Sequence, residues 1–232
     1  MVNGYELRPH LFIEVVIAPM DIHIPQALAL TKKEVKIGAQ NISKYRTGAY
    51  TGESSAIHYS DMGLKWAIVG HSERRSKFFE DNETVRIKIM RANVHGINWI
   101  FWLGETEMER KANMTYPMLS KQLELVINRM KDFSKLVVAY EPVWAIGTGD
   151  VATPQHAQRI HDYIRHWVHN HTTTEWAQSM RILYGGSVNK ENWHELIKQP
   201  DIDGFLIGGA SLEPEFKDIV ESVNSEHENV YL

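Results

Sequence analysis

The chain contains no cysteine in its 232 residues, which excludes a disulfide framework and any thiolate-held metal site. It also lacks a basic excess. Lys and Arg number 25 against 29 Asp and Glu, leaving a net charge of −4 and no positive field to gather nucleic acid or anionic lipid. No apolar run approaches the roughly 20 residues that a membrane-spanning helix needs. The first residues lack the basic-then-apolar pattern of a secretion signal. These absences predict a cytoplasmic protein with neither nucleic acid nor membrane as partner. Linkers, low-complexity tracts and tandem copies are lacking too, which predicts one domain over residues 1–232.

Histidine is plentiful, with 12 copies. His161, His166, His169 and His171 invite a metal reading, but their spacings do not set two of them one helical turn apart beside a carboxylate pair. They are expected to form a solvated helix face and its end, and no metal is predicted.

Apolar runs that read as strands alternate with helical patterns, the signature of βα units around a parallel sheet. The strands fall at 13–18, 35–40, 66–71, 98–104, 136–141, 181–186 and 204–209. Helical patterns lie near 24–32, 82–94, 116–131, 154–169, 190–198 and 213–223. Thr153-Pro154 opens the fourth of them with a cap and an N1 proline. Residues 224–232 are polar and are expected to fray.

The run AYEPVWAIGTG at 139–149 carries the most chemistry. Glu141 closes the buried-strand pattern LVVAY, and Pro142 stops it. An apolar tip follows (Val143, Trp144, Ala145, Ile146), then Gly147-Thr148-Gly149. A greasy loop between a proline and a glycine-rich end is suited to close over a ligand and shut out water. Desolvation would lift the Glu141 pKa toward neutrality and make it a base for carbon acids. Gly185-Gly186-Ser187 and Gly208-Gly209-Ala210-Ser211 each follow a strand and offer backbone N–H groups to an anion.

This lid segment resembles that of the triosephosphate isomerase family. WAIVGHSERR (66–75), RILYGGSVN (181–189) and DGFLIGGASLEPEF (203–216) match the family's motifs in order, and the likeness runs from about 13 to 223. The resemblance implies a TIM (β/α)8 barrel with a phosphate site at its last two strands. It implies the interconversion of dihydroxyacetone phosphate and D-glyceraldehyde 3-phosphate in glycolysis and gluconeogenesis, without a cofactor. By resemblance Glu141 is the base and His71 the electrophile, an assignment taken from the family. Glu73 aligns with a carboxylate that pairs with the family's lysine. Asn3, Gly147, Ser187, Gly208 and Gly209 bind the substrate and its phosphate. Pro142, Val143, Trp144, Ala145, Ile146 and Thr148 form the lid, Tyr184 and Ser187 latch it, and Ile146 and Leu206 flank Glu141. The loop around Thr51 (Gly48-Ala49-Tyr50-Thr51-Gly52-Glu53) is the family's dimer loop, which implies a homodimer.

The chain departs from the family in four places. Only seven strands are readable, where a closed barrel has eight. Met1-Val2-Asn3-Gly4 aligns with the end of the motif carrying the catalytic lysine, so that Met1 stands at the lysine position. The first helix is expected to be cut down to 5–12, with Pro9 inside it. Glu73 then loses its partner and is expected to be solvated, protonated or paired elsewhere. Trp102 stands where the family usually has cysteine, and overpacking of that kind costs about 1–3 kcal/mol. Asp150 replaces a lysine at the lid's far hinge. The alternative to a working isomerase is an impaired or inactive member that keeps the phosphate cup and serves as a binder or subunit partner. A further alternative is a degenerate copy with exposed sheet edges that does not fold stably.

Overall fold

A computed structural model of the chain describes residues 14–127, 133–145, 152–189, 191–214 and 216–221. Seven parallel strands make one sheet in sequence order: β1 (Val15–Ile17), β2 (Val35–Ala39), β3 (Trp66–Val69), β4 (Asn98–Leu103), β5 (Leu136–Tyr140), β6 (Arg181–Tyr184) and β7 (Gly204–Phe205). Each sits inside one of the apolar runs read from the sequence. The α-helices among the described residues include α1 (Ile24–Leu30), α2 (Ala56–Asp61), α3 (Ser72–Lys77), α4 (Asn82–Val94), α5 (Glu107–Lys111), α6 (Thr115–Ile127), α7 (Pro154–His171), α8 (Thr174–Ser179) and α9 (Trp193–Ile197). Residues 216–221 are helical as well. Four short helices (α2, α3, α5 and α8) escape the periodicity because five or six residues are too few to display it.

β4 and β5 are apolar almost without interruption, as strands covered on both faces must be. Alternation then divides their side chains. Trp66, Ile100, Trp102, Val137 and Ala139 cluster on one face with Val16, Ile68, Leu183 and Leu206 packed against them. Their neighbours Ala67, Val69, Trp99, Phe101, Leu103, Val138, Tyr140 and Ile182 belong to the larger core under the helices. The sheet is curled. Arg181 Nη1 pairs with Glu14 Oε2 at 2.7 Å, joining the start of β6 to the residue before β1. Five strand spacings of about 4.8 Å would hold them roughly 24 Å apart in a flat sheet. The architecture is therefore the α/β TIM barrel, with seven strands in the described part. β1 and β7 each have one bonded neighbour there.

Thr153 caps α7 as read, its Oγ1 accepting the His156 N–H at 3.1 Å with Pro154 next in line. The solvated-face reading fails for His161, which is fully buried on α7 while His166, His169 and His171 are exposed. The buried stripe of α7 is Ala157, Ile160, His161, Ile164, Trp167 and Val168, and position 161 lies on it by helical spacing. Burial is tolerated because His161 Nδ1 meets the Asp201 carbonyl at 3.0 Å. The stretch at 5–12, Met1, Pro9, Asp150 and the tail lie outside the described residues. No helix among the described residues is long and apolar enough to cross a membrane.

Candidate active site

Glu141 is the first residue beyond β5, and its N–H still bonds the Leu103 carbonyl at 2.9 Å. The carboxylate is therefore held as rigidly as a strand side chain, and only 5 % of the residue is exposed. Gly104 makes this approach possible. A Cβ there would stand 1.9 Å from the Glu141 carbonyl oxygen, so no larger residue fits without moving the backbone. Burial pushes the Glu141 pKa up to about 7, against the pull of hydrogen bonds from Ser72 and Trp102 and with a small push from the Glu73 charge. A carboxylate with that pKa can accept and return a proton near neutral pH.

His71 arrives from β3 through Gly70, whose φ of +81° lies in the region that favours glycine. It caps α3, with its Nδ1 accepting the Glu73 N–H at 3.0 Å. An accepting Nδ1 leaves the proton of a neutral ring on Nε2. Burial holds the ring pKa below its ordinary value, Glu73 opposing this and Lys77 reinforcing it. His71 is thus a neutral ring with an Nε2–H to donate.

Trp102, on β4, lies between the two. Its Nε1–H donates to Glu141 Oε2 at 2.5 Å, and its ring centre is 4.0 Å from that of His71. The indole that reads from sequence as an overpacked core residue therefore touches both candidate catalytic groups.

The near end of the segment read from sequence as a lid is folded inward. Val143–Ala145 forms a 3-10 turn, with Trp144 and Ala145 buried. Trp144 Nε1 donates to Glu105 Oε1 at 2.9 Å, and the Arg110 guanidinium sits 3.5 Å over the Trp144 ring. Burial pushes the Glu105 carboxyl pKa upward. Ile146, Gly147 and Thr148 lie outside the described residues, as does Asn3. Tyr184 is fully buried, and its hydroxyl has no hydrogen-bond partner among the described residues. It points at Gly186, where a Cβ would come within 2.2 Å of it. Ser187, Gly208 and Gly209 are exposed, and a Cβ at either of the last two would meet nothing within 4 Å. Leu206 packs in the Trp102 cluster.

Glu73 turns away from this centre. It is exposed on the first turn of α3 and pairs with Lys77 Nζ at 2.6 Å, which holds its pKa below the usual carboxylate value. Of the three outcomes expected for it, it is both solvated and paired elsewhere. Thr51 sits on an exposed loop braced by stacking of Tyr45 on Tyr50 at 4.2 Å. Sequence reasoning missed Ser72, Glu105 and Arg110. Glu105 had a legible signal, a carboxylate directly after the apolar run of β4, as Glu141 is after β5. Arg110 had none, being one of several charges on a short helix.

A sequence model of triosephosphate isomerase matches residues 3–223, a span that takes in all seven strands. The chain belongs to the triosephosphate isomerase family. A triosephosphate isomerase of Zygosaccharomyces bailii is 46% identical over 221 residues, covering 95% of this chain and 88% of the relative. A cytosolic triosephosphate isomerase of Oryza sativa subsp. japonica is 45% identical over 210 residues, 90% of this chain and 83% of that protein. The triosephosphate isomerase of Saccharomyces cerevisiae is 46% identical over 213 residues, 91% and 86% respectively. Family membership makes the chain an isomerase by descent, on a fold whose C-terminal strand ends carry the site just described.

Proposed function

We propose that this chain, as one barrel domain, interconverts dihydroxyacetone phosphate and D-glyceraldehyde 3-phosphate in the cytoplasm, in glycolysis and gluconeogenesis. The observation that carries the reading is Glu141, a buried carboxylate with a pKa near 7, set in one contact network with the neutral His71. Glu141 removes a proton from the carbon beside the substrate carbonyl while His71 Nε2–H donates to the carbonyl oxygen. Glu141 then returns its proton to the former carbonyl carbon of the enediol, while the hydroxyl on the first carbon gives a proton back to His71 Nε2 and becomes the new carbonyl. Atoms and electrons balance within the substrate, so the reaction draws on no cofactor. Gly147, Ser187, Gly208, Gly209 and Asn3 bind the substrate and its phosphate, Ile146 and Leu206 flank the base, and Tyr184 supplies a hydroxyl to latch the lid. The working form is a homodimer joined through the loop around Thr51.

One observation favours the second reading, an impaired member that binds ligand but turns over slowly. Glu73, aligned with the lysine's partner, is paired with Lys77 in solvent and gives the site no charge network. One experiment addresses both readings. Glu141→Asp draws the carboxylate back by one methylene and should lower kcat roughly 100-fold or more, while affinity for a phosphoglycolate-type enediol mimic stays nearly intact. An equal loss of affinity would make Glu141 a structural residue. The same assay on the chain with an Asn-Trp-Lys segment added ahead of Val2 separates the readings. A large gain in kcat identifies the impaired member, and turnover by the parent chain as fast as by the extended one identifies a competent isomerase.

A further inference from the structure

The geometry points to Trp102 as a positioning residue for the base: its indole holds the Glu141 carboxylate against the barrel interior next to His71, and ligand binding takes that carboxylate off the indole. The release of the carboxylate rests on the reading of Glu141 as the base. Three observations build it. Trp102 Nε1–H donates to Glu141 Oε2 at 2.5 Å in a setting where Trp102 is 4 % and Glu141 5 % exposed. An indole nitrogen can only donate, so this contact favours the ionised carboxylate. The same ring lies 4.0 Å from the His71 ring, tilted by 49°, so one side chain fixes the separation of base and electrophile.

The third observation is that the indole's neighbours across the sheet are small. Its register partner on β5 is Ala139, and on the β6 side stands Gly185, where a Cβ would be 3.5 Å from the indole Cζ2, 3.2 Å from the Tyr140 carbonyl and 3.7 Å from Glu141 Cβ. A large residue flanked by the two smallest has room for its ring beside them. Among the described residues, the ionisable group in contact with the pair is His71, while the exposed Glu73 and Lys77 of α3 act on Glu141 and His71 only through their charges. Ser72 supplies the other hydrogen bond to the carboxylate. β4, β5 and β6 bring Trp102, Ala139 and Gly185 to this spot and no charge. A substrate that reaches Glu141 must compete with the indole for the same carboxylate.

Indole N–H resonances in a proton–nitrogen NMR spectrum test this directly. The chain has seven tryptophans, and the resonance absent from Trp102→Phe belongs to Trp102. It should lie far downfield and titrate with a midpoint near pH 7, following the Glu141 carboxylate. Glu141→Gln, which leaves the core volume unchanged, should move it upfield and abolish that titration. A Trp102 resonance indifferent to Glu141→Gln overturns the proposal. Adding a phosphoglycolate-type enediol mimic should shift the resonance upfield as the carboxylate is taken over. Binding of the mimic with this resonance unmoved overturns the release step. Failure of the mimic to bind at all overturns the isomerase reading and the release step with it, whereas the ligand-free titration still decides whether the indole holds Glu141. In turnover, Trp102→Phe should raise the acid limb of kcat/KM by about one pH unit, because loss of a donor lets the carboxylate protonate more readily. A fall in kcat with that limb unmoved would mean a merely structural tryptophan.

Discussion

Glu141 illustrates at the scale of one residue how a reactive group weakens the fold that holds it. Its folded pKa of about 7 lies above the roughly 4.3 of an exposed glutamate. Between those values the folded chain binds a proton that the unfolded chain releases, so stability falls as pH rises through that window. The cost of keeping the charge buried is then fully present at pH 8, on the order of 2–4 kcal/mol. Glu141→Gln removes that charge and keeps the shape. The variant should melt higher than the parent at pH 8 and nearly with it at pH 5, as thermal scans at the two pH values would record. Equal shifts at both would mean that the carboxylate is better solvated than its burial implies. Gly104 is the other side of the same arrangement, because the close backbone approach at Glu141 leaves no room for a Cβ.

At the scale of an element, α7 is the clearest case of pattern and chemistry pulling apart. Its buried stripe at 157, 160, 161, 164, 167 and 168 has helical spacing, yet one of its members is ionisable. Burial lowers the His161 pKa to about 4, against about 6.5 for an exposed imidazole. Between pH 6.5 and 4 the unfolded chain takes up a proton that the folded chain refuses, so stability is lost as pH falls across that window. His161→Gln should keep a donor for the Asp201 carbonyl and remove the titration. Urea unfolding at pH 7 and pH 4.5 should then show a smaller acid loss in the variant than in the parent, by about 1–2 kcal/mol. An identical acid loss in both would place the sensitivity elsewhere. α3 works differently, for its N-terminal turn puts His71 in the site and sends Glu73 outward to Lys77.

At the scale of the whole molecule, the loop around Thr51 and an apolar pair, Phe78 and Phe79, are exposed, on segments that approach each other at Asn41 and Glu80. They are linked through Lys88, whose Nζ meets Asn41 Oδ1 at 2.6 Å and Glu80 Oε1 at 2.5 Å. Phe79 is 87 % exposed, and its positive φ of 56° is costly for an aromatic residue. An exposed aromatic pair and a braced loop of exposed residues are features of a surface that is covered on self-association. The chain should sediment at about twice its monomer mass, and Thr51→Arg should shift it toward the monomer. A parent that sediments as a monomer at micromolar concentration would remove the dimer from the proposal.

The sequence by itself determined the strands, the major helices and the family. Continuous apolar runs such as LVVAY report burial on both faces, and helical spacing reports which side of α7 packs. It also pointed to Glu141, because a carboxylate at the end of a buried strand under an apolar loop is visible in eleven consecutive residues. Periodicity names a face, but not what stands opposite it, and there the tertiary structure decided. It buried His161 by bringing the Asp201 carbonyl to it from 40 residues away, turned Glu73 out to Lys77, and rolled the sheet until Arg181 met Glu14. It also joined Trp102 to Glu141 across 39 residues. That indole reads as excess volume along the chain and becomes a hydrogen-bond donor to Glu141 only when β4 and β5 lie side by side.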